Sequence, residues 1–166
     1  GHCFDIAKQG YVNLAVANSK ASSLRSDDLD MVTSRQRFLA TGAFDPIVDA
    51  VASRIPRDRT GNNGRLFVEL GAGTAAYLAA ALDRNDDAHG IAIDLAIPAT
   101  IRAARSHGRT TAIVSDSWAP LPLADDTVDA VLVAFAPRNL AEIARVLRPG
   151  GRLVLASAKP AHIREL

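Results

Sequence analysis

Two acids in this chain each close an apolar run, and a pair of glycines follows the first. Leu66 to Thr74 reads L-F-V-E-L-G-A-G-T, an apolar run that stops at Glu69, turns through Gly71 and Gly73, and leads into a helix expected from about Thr74. A strand that ends in glycines and opens a helix lets backbone N–H groups and the positive helix end face a nucleotide-like ligand closely. Three residues after Gly73 stands Ala76, so the full G-x-G-x-x-G fingerprint is absent, and the pair alone is equally the mark of a tight βα turn. The second acid, Asp94, closes Gly90-Ile91-Ala92-Ile93-Asp94. Its place, about twenty residues on, suits a carboxylate that accepts both ribose hydroxyls of an adenosine. Burying it without such a partner is costly, so the two features together favour a nucleoside-type cofactor.

Holding these residues requires a sheet, and the rest of the chain supplies one. Strands are expected at Leu66 to Leu70, Gly90 to Asp94, Thr111 to Val114, Val128 to Phe135 and Arg152 to Ala156, with helices between them at about Thr74 to Leu82, Pro98 to His107 and Leu140 to Leu147. Such alternation argues for an α/β fold with a mostly parallel sheet. Pro149-Gly150-Gly151 is the expected turn into the last strand. Upstream, a helix is expected after Ser26 as cap, with Leu29, Val32, Phe38 and Leu39 on its apolar side and Gly42 at its end; a second begins with Asp45 as cap and Pro46 in the first turn. Residues 1 to 25 show only short extended pieces around Gly10. The polar loop Arg57 to Arg65 marks the expected boundary between an N-terminal part, residues 1–60, and the main sheet, residues 61–166.

At 166 residues the chain fits one domain, and its 48% hydrophobic and 22% charged content is that of an ordinary globular protein. No apolar run reaches membrane-spanning length. A net charge of +1 announces no nucleic-acid binder, so any such surface has to be local. The single cysteine, Cys3, excludes an internal disulfide and fits a reducing cytoplasm. The start, Gly1-His2-Cys3-Phe4, has no initiator Met and no signal-peptide pattern, and leads us to expect a fragment.

With these residues placed, the chain resembles a Rossmann-like class I methyltransferase that uses S-adenosylmethionine. The V-E-L-G-A-G-T turn, Asp94, Ser115-Asp116-Ser117-Trp118 followed by Leu121-Pro122-Leu123, and L-R-P-G-G at Leu147 to Gly151 fall in that family's order. A narrower resemblance runs through Phe4 to Leu14 with its G-Y-V-N-L string, Asp30 to Phe44, and Phe135-Ala136-Pro137-Arg138-Asn139. It is to the methyltransferases that modify guanine N1 in a hairpin loop of large-subunit ribosomal RNA, and in particular to their actinobacterial, tylosin-resistance branch. That resemblance implies a ribosomal RNA hairpin as partner, no membrane, and a cytoplasmic place. It also implies an N-terminal zinc module of three cysteines and one histidine, of which His2 alone stands at a ligand position here; four ligands make a structural zinc site, so no zinc is expected in this fragment. The family continues beyond Leu166 as well.

The resemblance assigns roles residue by residue. Gly71, Gly73 and Thr74 approach the methionine part of the cofactor, Asp94 its ribose, and Asp116 its adenine amino group; Glu69, before the turn, is counted with the cofactor-binding residues. Asp116 read alone is equally a turn cap. Phe44 lies against the cofactor in the family, although an aromatic after Gly42 is otherwise a core residue, and His162 reaches the cofactor's carboxylate end. Ala75 replaces a common family glycine; placed in a helix, Ala is favoured over Gly by about 1 kcal/mol. Arg138 and Asn139, at the sheet's carboxyl edge, are the candidates nearest the chemistry, though no catalytic base can be named. Arg35, Arg37, Arg102, Arg105 and Arg109 either touch phosphates or form a solvated face. The expected function is methyl transfer from S-adenosylmethionine to guanine N1 of ribosomal RNA. The alternatives are a small-molecule methyltransferase on the same fold, or a cofactor-binding fragment without activity of its own. An NAD-dependent oxidoreductase is disfavoured by the failed glycine pattern.

Overall fold

The computed structural model describes residues 4–15, 27–55 and 64–159. Among them, in chain order, are β1 (Tyr11–Asn13), α1 (Leu29–Leu39), α2 (Asp45–Ser53), β2 (Arg65–Leu70), α3 (Ala76–Asp83), β3 (Ala88–Asp94), α4 (Ile97–Ala103), β4 (Thr110–Val114), β5 (Val128–Ala134), α5 (Leu140–Val146) and β6 (Leu147–Ala156). The strands form one parallel sheet in the order β1-β4-β3-β2-β5-β6. This is a doubly wound α/β fold, as the alternation of elements predicts.

The apolar strands are apolar because both faces of the sheet are covered, the usual condition of parallel sheets. Side chains alternate along each strand, so Phe67, Ala92, Ala130 and Leu132 pack on one face with Leu78 and Leu82 of α3 and Val51 and Ala52 of α2. Val68, Leu70, Ile93, Val131 and Val133 point the other way, onto Ile143 and Val146 of α5. Helix α3 lies close against β3: a Cβ on Gly90 would stand 2.9 Å from methyl groups of both Leu78 and Leu82.

From β2 the chain winds outward through β3 to β4, then returns to the far side of β2 as β5. The carboxyl ends of β2 and β5 therefore diverge into opposite crossovers, and a crevice opens between them, where open α/β sheets bind ligands.

Several local expectations give way to tertiary structure. The extended residues near Gly10 become β1, which pairs with β4 at the sheet edge (Tyr11 with Ala112, Asn13 with Val114), and Ile6 forms an antiparallel bridge to Val12. Thus the N-terminal stretch contributes a strand to the main sheet, and α2 contributes to its core. Ser26 lies outside the described residues; Asp28 caps α1, its carboxylate accepting the Met31 amide at 2.9 Å. Asp45 is the first residue of α2 rather than its cap, a place held by Phe44 without a side-chain bond. The expected Pro149-Gly150-Gly151 turn lies inside β6, where Leu147 pairs with Val128, the register slips, and pairing resumes at Arg152 with Ala130. A bulge absorbs the residues that the sequence suggests as a separate turn.

Two of the arginines considered for phosphate contact are structural. Arg109 donates to the carbonyls of Leu82, Asn85 and Ala88, all at 2.7 Å, placing a cation on the C-terminal end of α3. Arg102 of α4 donates to Thr33 Oγ1 at 2.9 Å and Gln36 Oε1 at 2.7 Å, fastening α1 to α4. Val32 packs between the same helices, against Ala96 and Ala99.

Candidate functional site

A cavity of about 500 Å³ opens at the carboxyl ends of the strands. Its floor is the turn after β2. Gly71 and Gly73 both have positive φ, 61° and 56°, which glycine adopts without steric cost. A Cβ on Gly71 would stand 2.4 Å from that of Ala136, so its missing side chain lets the β2 and β5 loops meet. The next residue of interest departs from expectation. Ala75 is fully buried at φ 59°, in the left-handed region and ahead of α3 rather than within it, so its methyl costs roughly 1–2 kcal/mol of backbone strain instead of aiding a helix.

Glu69 lies beneath this turn with 1% of its surface exposed. Its Oε2 accepts the Leu78 amide at 2.9 Å, so a strand carboxylate satisfies a free N–H in the first turn of α3. Burial pushes its carboxyl up to about 8; the Leu78 bond opposes this and the nearby Asp94 charge adds to it. Asp94, at the end of β3, accepts the Gly73 amide on Oδ2 and the Ala96 amide on Oδ1, each at 2.8 Å. Burial raises its carboxyl above the ordinary range, while the two amides and Arg35 draw it back. Tyr77 is also raised, first by burial and then by the Glu69 charge.

One wall comes from beyond β4, where Asp116 accepts the Trp118 amide at 2.9 Å in a tight local turn and also lines the cavity. Phe44, also in the lining, packs on Phe38 (ring centroids 5.2 Å, steeply inclined) and on Phe135 (5.9 Å). Phe135 follows β5 with φ 54°, a strained conformation for an aromatic residue. Its amide is held by the Ala156 carbonyl at 2.9 Å. The mouth of the cavity is thus aromatic, with Phe38, Trp118 and Phe135 each about half exposed.

Phe44, Glu69, Gly71, Gly73, Thr74, Asp94 and Asp116 all line this one cavity. Arg138 and Asn139 do not appear in its lining, although Pro137 does. Asn139 caps α5, its Oδ1 accepting the Glu142 amide at 3.3 Å, and its amide nitrogen donates to the Trp118 carbonyl at 2.9 Å. His2 and His162 lie outside the described residues. Among the described residues no group of three or more His, Cys, Asp or Glu is placed to hold a metal. Sequence reasoning gave no role in the cavity to Arg35, Tyr77, Phe38, Trp118 or Phe135. Phe135 and Trp118 belong to motifs that carry the family resemblance; Arg35 reads in the sequence only as a phosphate contact or a solvated face, because α1 reaches the glycine turn only through the fold.

The similarities to known proteins agree with this geometry. A putative 23S rRNA (guanine-N(1)-)-methyltransferase of Micromonospora griseorubida is 43% identical over all of this chain and 59% of its own length. The 23S rRNA (guanine(748)-N(1))-methyltransferase of Streptomyces fradiae is 40% identical, again over all of this chain and 58% of its own. The chain therefore spans under two thirds of these relatives. In fold it resembles a putative S-adenosyl-L-methionine-dependent methyltransferase of Methanococcus maripaludis, with a TM-score of 0.64 and 19% identity over 85% of this chain and 67% of that one. Residues 68–155, from the middle of β2 almost to the end of β6, match the family model of the methyltransferase domain. Since that match covers more than half of the residues and includes the glycine turn, Asp94 and the β5 loop, the chain belongs to the methyltransferase-domain family.

Proposed function

We propose that this chain is the cofactor-binding core of an enzyme that transfers a methyl group from S-adenosylmethionine to N1 of a guanine in a hairpin loop of 23S ribosomal RNA. The observation that carries the reading is the likeness, over the whole of this chain, to two relatives named as 23S rRNA guanine-N(1) methyltransferases. The cavity suits the cofactor. Each Asp94 oxygen already accepts one amide and keeps a lone pair for a ribose hydroxyl. Asp116, one loop away, takes the adenine amino group, and Gly71, Gly73 and Thr74 form the floor under the methionine part. Phe44 closes the side.

When bound, the sulfonium supplies a methyl group that is already activated. What remains for the protein is to hold acceptor and donor in line and to keep water out. The aromatic mouth of Phe38, Phe135 and Trp118 is suited to a flat base. Guanine N1 bears a proton near neutral pH, and that proton must pass to water as the bond to the methyl forms and the bond from sulfur to the methyl breaks. Asn139 acts as a positioning residue, tying the Phe135 to Asn139 loop to Trp118, while Arg138, next to Pro137 but outside the cavity lining, is the candidate on that loop to steady the negative charge that develops as N1 gives up its proton.

Calorimetry of the chain with S-adenosylmethionine tests the cofactor; no binding would overturn it. Methyl transfer by the full-length protein to 23S RNA from cells lacking its gene, mapped by mass spectrometry, tests the acceptor. A label found on a small molecule or on another nucleotide would replace guanine N1.

A further inference from the structure

The cavity is rich in acids. Asp27, Glu69, Asp94 and Asp116 all line it, and among the described residues Arg35 is its one cation. Arg35 belongs to α1 and is brought to the floor by the fold: a Cβ built on Gly73 would lie 3.7 Å from its Nη1 and 3.9 Å from its Cδ. Its guanidinium is ion-paired to Asp27, and its side chain remains about half exposed. The helix that carries it is fixed in place by Arg102 and by Val32.

S-adenosylmethionine brings a carboxylate to the end of the cavity floored by the glycine turn. With Asp27, Asp94 and Asp116 around it, that group needs a cation, and a planar guanidinium with several donors matches a carboxylate better than an ammonium does. We infer that Arg35 binds the carboxylate of the cofactor's methionine part, at the end that the family resemblance also assigns to His162, exchanging its contact with Asp27 for the ligand, and so makes the site specific for ligands that carry the amino-acid tail. This inference rests on the cofactor reading above and adds to it a residue and a specificity. The Asp27 contact keeps the charge of Arg35 balanced until a ligand carboxylate replaces it.

The test compares two ligands on three proteins. S-adenosylhomocysteine carries the amino-acid tail; 5′-methylthioadenosine carries the same adenosine and sulfur without it. Calorimetric titrations use the wild type, Arg35→Ala and Arg35→Lys. The expected result is a loss of about ten- to a hundredfold in S-adenosylhomocysteine affinity for Arg35→Ala, the size of one charge-assisted hydrogen bond. Methylthioadenosine affinity should stay within about twofold, which also reports an intact fold. Arg35→Lys should recover part of the loss. Equal losses for both ligands, or no loss for either, would overturn the role of Arg35 while leaving the cofactor reading intact. A wild type that binds neither ligand would overturn the cofactor reading itself, and this inference with it.

Discussion

The amide of Gly73 donates to a carboxylate oxygen of Asp94 across 2.8 Å, joining the turn after β2 to the end of β3. The same carboxylate also accepts the Ala96 amide at the start of α4. One side chain thus shapes the floor of the cavity and presents its remaining lone pairs to whatever lies above. The bond explains why an acid about twenty residues after a glycine turn matters even before a ligand binds: without it two backbone amides lose their partner.

Asp94→Ala should therefore act twice. Losing the proposed ribose contact should weaken S-adenosylmethionine binding by about ten- to a hundredfold, and orphaning the Gly73 and Ala96 amides should lower stability by roughly 1–3 kcal/mol. Calorimetry and urea denaturation separate the two. An unchanged affinity with lowered stability would make Asp94 purely structural.

Glu69 gives the protein a pH-dependent stability of defined sign. Its folded carboxyl titrates near 8, above the unfolded value, so between these limits the folded state holds a proton that the unfolded state has released. Stability from this group is present at low pH and falls as pH rises through 8, with a slope on the order of 1 kcal/mol per pH unit. Asp94, also raised by burial, tilts the curve the same way. Glu69→Gln, which can still accept the Leu78 amide, should flatten the curve in urea denaturation between about pH 5.5 and 8.5. A parallel slope in that variant would assign the pH dependence elsewhere.

Gly71→Ala should be severe, because its Cβ would stand 2.4 Å from that of Ala136 and its φ of 61° disfavours any L side chain. We expect a loss of about 2–4 kcal/mol and weaker cofactor binding. Adding Ala136→Gly removes the clash but not the backbone strain, so the double variant should regain part of the stability. Additive losses in this cycle would show that the two loops do not press on each other.

Arg109→Met should destabilise by about 2–4 kcal/mol, since three carbonyls near the end of α3 lose a charged donor. Arg109 is absent from the cavity lining, so affinity for S-adenosylmethionine should hold in the folded protein. A salt-dependent loss of RNA affinity without loss of stability would instead return Arg109 to phosphate binding.

Much of the site was legible in the chain because its decisive signals are local. A glycine turn after an apolar run, an acid at the end of the next run, and regular alternation of strand and helix patterns each occupy a few neighbouring residues. Leu66 to Leu70 and Gly90 to Asp94 follow from apolar runs that only a sheet covered on both faces can bury, and the strands β2 and β3 contain them. The tertiary structure alone decided what lies opposite. Tyr11 to Asn13 has too few residues to declare itself a strand until β4 offers an edge, and Ala75 is strained only because the turn before α3 imposes a left-handed backbone. Arg35 reads as one more surface cation on a polar helix. It reaches the glycine turn because Val32 and Arg102 seat α1 against α4, contacts between residues some seventy positions apart that no local periodicity encodes.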